Sequence, residues 1–277
     1  MFRLSVWGPA LSNFLRAVKF LARGRASIAP VSGLLAAARY LTVVPFPGRN
    51  HAPMETLGRA AAWFPIVGIG RGVVLALVDR LTSRVFPPLL AALLTVTAWK
   101  LVTGGLHLDG LADCLDGLVG RDPEHRLAIM RDSRIGAFGA IGLILFLMLE
   151  IVALSELAPA ARAGALLAAP VIARATPAVL ARLFRSARPD GQGAAFHAGV
   201  RAPAIALGLA VALVAATLAL GALGLVAVAA GLLAAIGLAG FVARRLGGIT
   251  GDVLGAGVEM SELAALLTVA AWTNARL

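Results

Sequence analysis

The amino-acid sequence predicts an all-α fold: a polytopic integral membrane helical bundle of about seven spans with additional interfacial or re-entrant helices. Of the 277 residues, 60% are hydrophobic and only 14% are charged, whereas a soluble domain is nearer half apolar and a quarter charged. The mean hydropathy is +0.89. The 31 glycines are typical of helices that pack closely in lipid. The lipid bilayer is therefore the first partner that the sequence predicts.

The net charge of +11 is interpreted as a positive-inside signal and as attraction to anionic headgroups. No nucleic acid is expected as a partner, because the chain contains no basic, aromatic soluble module. The single cysteine, Cys114, excludes an intrachain disulfide framework and a CxxC site.

Residues 1–30 are predicted to be a basic N-terminal extension, and residues 31–277 a single transmembrane domain. Apolar residues recur at helical spacing among five basic residues of the extension, which is typical of a helix on the membrane surface. A disordered extension is the alternative. A signal peptide is not expected, because charges interrupt the apolar run and no small-residue cleavage site follows.

Residues 33–44 are too short to span a bilayer and contain Arg39, so this segment is predicted to be an interfacial or re-entrant helix that ends before Pro45. Spans of about 20 residues follow. They are predicted near 60–79, 86–106, 135–154, 162–181, 203–220, 222–243 and 259–275.

The connections between these spans alternate in charge. Those at 120–134, 182–202 and 244–258 carry arginines, whereas those near 155–161 and 221 contain no lysine or arginine. The positive-inside rule places the basic connections in the cytoplasm. The polar motifs then share one face, which favours an active site open to the cytoplasm over a transport path with ionisable groups in mid-bilayer.

The segment 104–139 contains the most informative motif. Asp109, Asp113 and Asp116 are spaced i, i+4 and i+7, so on a helix they lie within about 60° of one another. Like charges at this spacing destabilise a helix, and a divalent cation offsets that cost. Carboxylates suit Mg²⁺ or Mn²⁺, particularly when a substrate phosphate completes the ligand shell. An ordinary solvated acidic face is the alternative.

Two features accompany the acidic face. Leucines occupy the opposite side of the helix and are expected to seat it on the bilayer interface. His107 lies two residues before Asp109 and is a candidate general base, phosphate ligand or partner that orients the aspartate. An interfacial histidine bonded to the backbone is the alternative.

A short basic turn follows the acidic motif. Arg131 and Arg134 are spaced to clamp phosphate oxygens, which guanidinium groups bind bidentately. Asp132 is expected to bind metal or to orient an arginine. Ser133 is expected to donate to phosphate or to cap the next helix. Plain positive-inside charge is the alternative for this turn.

Two glycine-containing loops complete the set of candidate motifs. Gly191 and Gly193 permit positive φ and close approach of the backbone to a ligand. Thr250 and Asp252 lie among glycines, and Glu259 shares a helical face with Asp252. A glycine-rich turn at the head of a helix offers free N–H groups to an anion. Glycine-mediated helix packing is the alternative.

Three of these motifs, GGLHLDGLADCLDGL, IMRDSRIGAFG and GGITGDVLGAGVE, occur in this order and together resemble the cobalamin synthase family (adenosylcobinamide-GDP ribazoletransferase). The resemblance runs from about residue 34 to residue 270. It includes a T-x-x-P-x-P element at 42–47, FPIVGIGRG at 64–72 and Arg174 inside a later span. The one departure is Cys114, where the family often has threonine.

The resemblance implies a Mg²⁺-dependent enzyme of the bacterial inner membrane, with 31–277 as its single transmembrane catalytic domain and its active site facing the cytoplasm. Such an enzyme joins adenosylcobinamide-GDP to α-ribazole, or to α-ribazole 5′-phosphate. The products are adenosylcobalamin, or its 5′-phosphate, and GMP. A homo-oligomer, or association with other cobalamin assembly enzymes, remains open.

That chemistry gives the motif residues expected roles. Asp109, Asp113 and Asp116, together with Asp252, are expected to bind Mg²⁺ at the diphosphate. Direct participation in catalysis is expected of His107, Asp109, Asp113, Asp116, Arg131, Asp132 and Arg134. Substrate binding is expected of Ser133, Arg174, Gly191, Gly193, Thr250, Asp252 and Glu259. Arg174 is interpreted as lining a polar pocket open to the cytoplasm.

Two other functions are considered. A CDP-alcohol-type phosphotransferase also uses an acidic helix at the membrane face, but the order here, D-G-x-x-D-x-x-D-G, lacks the A-R element and the long second half of that motif. A corrinoid transporter or binding protein without catalysis is favoured only by the mid-span Arg174.

Overall fold

The computed structural model describes residues 30–46 and 52–275. The surface helix predicted for residues 1–30 lies outside this part of the chain, apart from Pro30. Within the described ranges the only β-structure is an isolated parallel bridge between Ser186 and Ile249. The prediction of an all-α fold is confirmed.

Twelve α-helices and one 3-10 turn, Ala61–Trp63, make up the described chain. The helices are α1 (Pro30–Leu41), α2 (Met54–Arg59), α3 (Phe64–Thr82), α4 (Pro88–Val102), α5 (Leu106–Gly117), α6 (Pro123–Ile129), α7 (Ala137–Ser155), α8 (Pro159–Leu183), α9 (Gln192–Gly199), α10 (Ala202–Leu220), α11 (Leu223–Leu246) and α12 (Gly251–Asn274).

Six helical segments of the described chain are long and apolar enough to cross a membrane: α3 with its preceding turn, α7, α8, α10, α11 and α12. The pair α4 and α5 forms a seventh if the two helices count as one broken span. This confirms the polytopic bundle. The short helix α1 also agrees with the prediction for 33–44.

The predicted span at 86–106 is helical only over α4, and α5 follows α4 at an angle of 91°. Gly104 and Gly105 lie between them with φ values of +62° and +73°, a left-handed conformation that costs little only for glycine. This bend separates α5 from α4, so that the acidic helix does not continue along the direction of the span.

The last predicted span starts at Gly251 rather than near residue 259. The span predicted at 259–275 has Glu259 and Glu262 at its start. Both side chains are instead buried inside the protein with basic partners, so α12 continues through them.

Small residues set the distances between the central helices. A Cβ atom on Gly68 of α3 would lie 2.7 Å from the carbonyl oxygen of Pro170 in α8. A Cβ atom on Gly110 of α5 would lie 2.6 Å from the carbonyl oxygen of Asp252 in α12. Glycine at these positions therefore lets the backbones approach closely, as is common between helices in membranes.

The leucine side of α5 does not face the bilayer, contrary to expectation. Leu111 is buried, and Leu108 and Leu115 pack against the same core cluster. Leu115 lies against Gly142 of α7, so contacts with neighbouring helices, rather than lipid, hold the acidic helix in place.

Candidate active site

A cleft of about 880 Å³ opens where α4 and α5 meet. The segment after α1, the bend between α4 and α5, the exposed side of α5 and the turn before α7 form its walls. Its polar lining residues are Tyr40, Thr42, Thr103, Asp109, Asp113, Arg131, Asp132, Ser133 and Arg134. The structure thus brings the acidic motif and the basic turn together; this space is called the catalytic cleft below.

A second cleft of about 660 Å³ adjoins the catalytic cleft. The two share Tyr40, Thr42, Val43 and Leu106 as lining residues. The second cleft continues between the end of α1, the start of α2 and Gln192. The two clefts therefore form one connected recess, and Asp109 and Asp113 line the part of it at α5.

Asp109 and Asp113 carry the free negative charge of the cleft. Asp109 is exposed and Asp113 is half-buried, and neither forms an ion pair with a described lysine or arginine. Asp113 interacts electrostatically with Asp109, Asp252, Asp116 and Arg188. The carboxylates of α5 and the first turn of α12 therefore form one acidic region.

Asp116 is placed differently from the other two aspartates of the motif. Its side chain is buried and accepts hydrogen bonds from the backbone N–H groups of Gly136 and Gly139, each at 2.8 Å. These donors belong to the first turn of α7, whose N–H groups lack partners within the helix. Asp116 thus joins α5 to α7 as a helix cap, and its predicted role as a metal ligand stays a prediction.

The basic turn presents one paired and one unpaired arginine. Arg134 and Asp132 form a bidentate ion pair, with nitrogen–oxygen distances of 2.6 and 3.0 Å. The hydrogen bonds from Arg134 lower the pKa of Asp132 to about 2. Arg131 is exposed and its guanidinium has no ion-pair partner among the described residues. Ser133 lies between them on the cleft wall.

Arg188 is a site residue that the sequence reasoning missed. It donates to the carbonyl oxygen of Leu127 at 2.8 Å. Burial lowers the pKa of Arg188, and the nearby Arg131 lowers it further, while Asp252 and Asp113 act in the opposite direction. In the sequence it counted only as loop charge, because nothing local indicates that its loop folds onto α12.

The loop of Arg188 is fixed to the loop before α12 by backbone hydrogen bonds. Ala187 N–H donates to Ile249 and Ile249 N–H donates to Arg185, each at 2.9 Å. Gly193 lies against the backbone of Thr250 and Gly251. Gly193 therefore allows two segments of the protein backbone to approach closely, whereas the sequence had suggested the approach of a ligand.

The other residues of these loops orient Asp252. Thr250 caps α12 by accepting from Val253 N–H, and its hydroxyl donates to Asp252 at 3.0 Å. Gly191 precedes α9 with φ of −81°, so the positive φ considered for it does not occur. These contacts hold the Asp252 carboxylate at the start of α12.

A second group of charges lies inside the bundle, on α3, α4, α7, α8 and α12. We call it the charge network, and its members are Arg71, Lys100, Glu150, Arg174, Glu259 and Glu262. Lys100 Nζ lies 2.8 Å from Glu150, 2.6 Å from Glu259 and 3.5 Å from Glu262. Arg174 donates to Glu262 at 2.8 Å, and Arg71 pairs with the same carboxylate. Three bases thus balance three acids.

Arg174 and Glu259 therefore do not line the catalytic cleft, contrary to expectation. Each is about 1% exposed. Burying an ion away from water is tolerated only with a partner of opposite charge, and each of the two has such a partner. Glu150, Glu259 and Glu262 are the one group of metal-binding side chains in the described chain whose ligand atoms all lie within 4.8 Å. The ammonium group of Lys100 already lies among them.

His107 faces the charge network rather than the catalytic cleft. Its side chain is buried and interacts electrostatically with Glu262, Arg71 and Lys100. It is not among the residues that line the cleft. The role of His107 as general base stays a prediction, and its position favours an aspartate for that role.

Comparison with known proteins gives a consistent result. Residues 33–270 match the model of a family described as cobalamin-5-phosphate synthase. Three similar curated proteins, each named adenosylcobinamide-GDP ribazoletransferase, come from Geotalea daltonii (39% identity, 85% of this chain, 95% of the relative), Pseudomonas paraeruginosa (40%, 87%, 98%) and Bradyrhizobium diazoefficiens (40%, 89%, 96%). No solved structure matches the chain.

Proposed function

The chain belongs to the cobalamin-5-phosphate synthase family, and we propose that it joins adenosylcobinamide-GDP to α-ribazole or α-ribazole 5′-phosphate and releases GMP. The observation that carries this proposal is the catalytic cleft, where the unpaired Asp109 and Asp113 lie opposite the unpaired Arg131. A diphosphate needs cations for its oxygens, and a reacting hydroxyl needs an acceptor for its proton.

The residues of the cleft fit a bound Mg²⁺ ion. Asp109, Asp113 and Asp252 offer hard oxygen ligands, and their mutual repulsion favours a cation between them. Their carboxylate oxygens do not all lie within 4.8 Å of one another. Mg²⁺ commonly binds one or two carboxylates together with substrate phosphates. When bound there, the ion would neutralise charge that develops on the diphosphate.

The bonding changes follow from the chemistry of the substrates. The hydroxyl oxygen of α-ribazole attacks the phosphorus that carries the corrinoid arm, and a new phosphorus–oxygen bond forms. The bond from that phosphorus to the bridging oxygen breaks, and GMP leaves with the bridging oxygen. One of the two unpaired aspartates of the cleft, Asp109 or Asp113, accepts the hydroxyl proton, while the other remains free to hold the ion.

The basic side chains hold the diphosphate in line with the attacking hydroxyl. Arg131 binds non-bridging oxygens, since its guanidinium is unpaired and lines the cleft. Arg188, in the loop between α8 and α9, stabilises the negative charges of Asp252 and Asp113. Arg134 contributes less, because Asp132 already occupies its guanidinium.

We place the cleft at the cytoplasmic face of the bacterial inner membrane. The loops that build it, at 120–134 and 182–202, carry arginines, and the positive-inside rule assigns such loops to the cytoplasm. A diphosphate-bearing substrate would then reach the cleft from the cytoplasm without crossing the bilayer.

The direct test is an assay of the purified protein in liposomes with adenosylcobinamide-GDP and α-ribazole 5′-phosphate, with GMP measured by chromatography. We expect GMP release that requires both substrates and Mg²⁺, and that EDTA abolishes. A parallel sample receives CDP-diacylglycerol and an alcohol acceptor, and we expect no CMP release. GMP release without the ribazole substrate, or CMP release from the parallel sample, would contradict the proposal.

A further inference from the structure

A third cleft, of about 630 Å³, lies at the end of the bundle opposite the catalytic cleft. It is formed by the last turns of α3 and α7 and the first turns of α4 and α8, whose other ends lie at the catalytic cleft or its loops. Each of these helices is long enough to traverse most of a bilayer. The cleft is therefore at the level of the lipid headgroups on the membrane face opposite the catalytic cleft, and we call it the distal cleft.

The distal cleft is basic. Arg80, Arg84 and Arg162 line it, and Asp79 is its only acidic lining residue. Arg80 and Arg84 are exposed and form no ion pair with any residue of the described ranges. Three arginines against one aspartate leave an excess of positive charge that an anion would balance.

Arg162 shows that the site is built into the fold. Its side chain is about 5% exposed and pairs with Asp79, whose carboxylate also accepts from the hydroxyl of Thr95 at 3.4 Å. This pair holds the Arg162 guanidinium at the wall of the distal cleft. An anion in the cleft would therefore meet Arg80 and Arg84, the two lining arginines that pair with no described carboxylate.

The position of these arginines is unusual for a membrane protein. The connection between α3 and α4 lies at the opposite end of the bundle from the arginine-rich loops, where the positive-inside rule predicts few basic residues. Arg80, in the last turn of α3, and Arg84, in the turn that follows α3, are nevertheless placed there. Two arginines kept on this face therefore indicate a local negative partner.

The remaining walls of the distal cleft are apolar. Val73 and Leu77 line it and are also exposed on the outer surface of α3, where a spanning helix contacts acyl chains. A bound molecule would thus meet guanidinium groups at one end and aliphatic side chains at the other. This combination fits an amphiphile with an anionic head.

We propose that the distal cleft binds an anionic phospholipid, with its phosphate between Arg80 and Arg84 and one acyl chain along Val73 and Leu77. The proposal is independent of the reaction in the catalytic cleft. The distal cleft would then hold one particular lipid at a defined position, in addition to the lipids that surround the whole bundle.

The test uses native mass spectrometry of the full chain in detergent, titrated with dioleoyl phosphatidylglycerol or dioleoyl phosphatidylcholine. We expect the wild type to bind one phosphatidylglycerol with clear preference. The double variant Arg80→Gln/Arg84→Gln should lose about 30-fold in apparent affinity for it, as expected for two basic side chains beside an anionic headgroup. Arg182→Gln/Arg201→Gln is the matched control, because it removes two exposed arginines at the other face.

Three results would overturn the proposal. The wild type could bind the two lipids equally, the Arg80→Gln/Arg84→Gln variant could retain the preference, or millimolar inorganic phosphate could displace the lipid. The last result would assign the distal cleft to a free anion. Arg162 is left intact in these experiments, because its substitution would break the buried pair with Asp79.

Discussion

The acidic region beside the catalytic cleft and the charge network both use α12, yet their charges differ in how they are paired. Asp252, in the first turn of α12, interacts with Asp109 and Asp113 and accepts a hydrogen bond from Thr250. Glu259, two turns further along, is fully buried and bonds Lys100 at 2.6 Å. In the bundle interior every charge has a partner, because an unpaired ion away from water is prohibitively costly.

The difference separates residues that hold the fold from residues that are free to act. The six charges of the network pair with one another by opposite sign and link five helices together. Asp109, Asp113 and Arg131 line the open cleft and have no ion-pair partner among the described residues. Substitutions in the two regions should therefore affect different quantities: stability in the network and turnover in the cleft.

The largest expected effect on stability is that of Lys100→Met. It leaves three glutamates with only two basic partners, and breaking a buried ion pair in this way costs about 3–5 kcal/mol. We expect a large drop in the thermal unfolding midpoint, measured in detergent by size-exclusion chromatography of heated samples. Arg182→Met, an exposed change at the end of α8, serves as the control and should leave the midpoint nearly unchanged.

The double variant Lys100→Met/Glu259→Gln sharpens this test. It restores the formal charge balance, since two glutamates and two arginines remain in the network, so it should recover part of the lost stability. If the two substitutions instead destabilise additively, the network is not the electrostatic unit described above.

A smaller effect, on turnover, distinguishes the two arginines of the basic turn. Arg131→Gln removes an unpaired guanidinium, and losing a hydrogen bond to a charged group costs about 1.5–3 kcal/mol, so kcat/KM for GMP release should fall by roughly 10- to 100-fold. Arg134→Gln should have a clearly weaker effect, because Asp132 already holds that side chain. Equal losses in the two variants would show that pairing does not decide which arginine binds phosphate.

The smallest expected effect is that of Asp116→Asn, which tests whether Asp116 only holds the fold or also binds metal in the cleft. Asparagine still accepts one hydrogen bond at the start of α7, so a loss of about 1 kcal/mol in stability is expected. The Mg²⁺ concentration that gives half-maximal GMP release should not change. A large increase in that concentration, with stability intact, would instead make Asp116 a metal ligand.

Hydropathy alone sufficed to predict the membrane bundle, because span length and composition are local properties. The spacing of Asp109, Asp113 and Asp116 likewise predicted one helical face. Spacing does not reveal which residue each side chain contacts. Asp116 accepts hydrogen bonds from Gly136 and Gly139, which belong to the start of another helix, beyond a loop.

The charge network escaped prediction for the same reason. Lys100 and Glu150 fall inside predicted spans, and an ionisable residue in a span indicates a buried partner, but the sequence does not say which one. Arg174 was therefore assigned to a pocket when its partner is Glu262. Arg188 reaches the acidic region only because two loops pair through Ile249.

The most direct test of this division is GMP release by Asp113→Asn in liposomes, measured beside Asp190→Asn, a control at an exposed loop position. We predict that Asp113→Asn loses at least about 100-fold in turnover, as expected when a group that stabilises the reacting charges is removed, and that its unfolding midpoint equals that of the wild type. Asp190→Asn should retain full activity. Near-normal turnover by Asp113→Asn would contradict the assignment of the cleft as the active site.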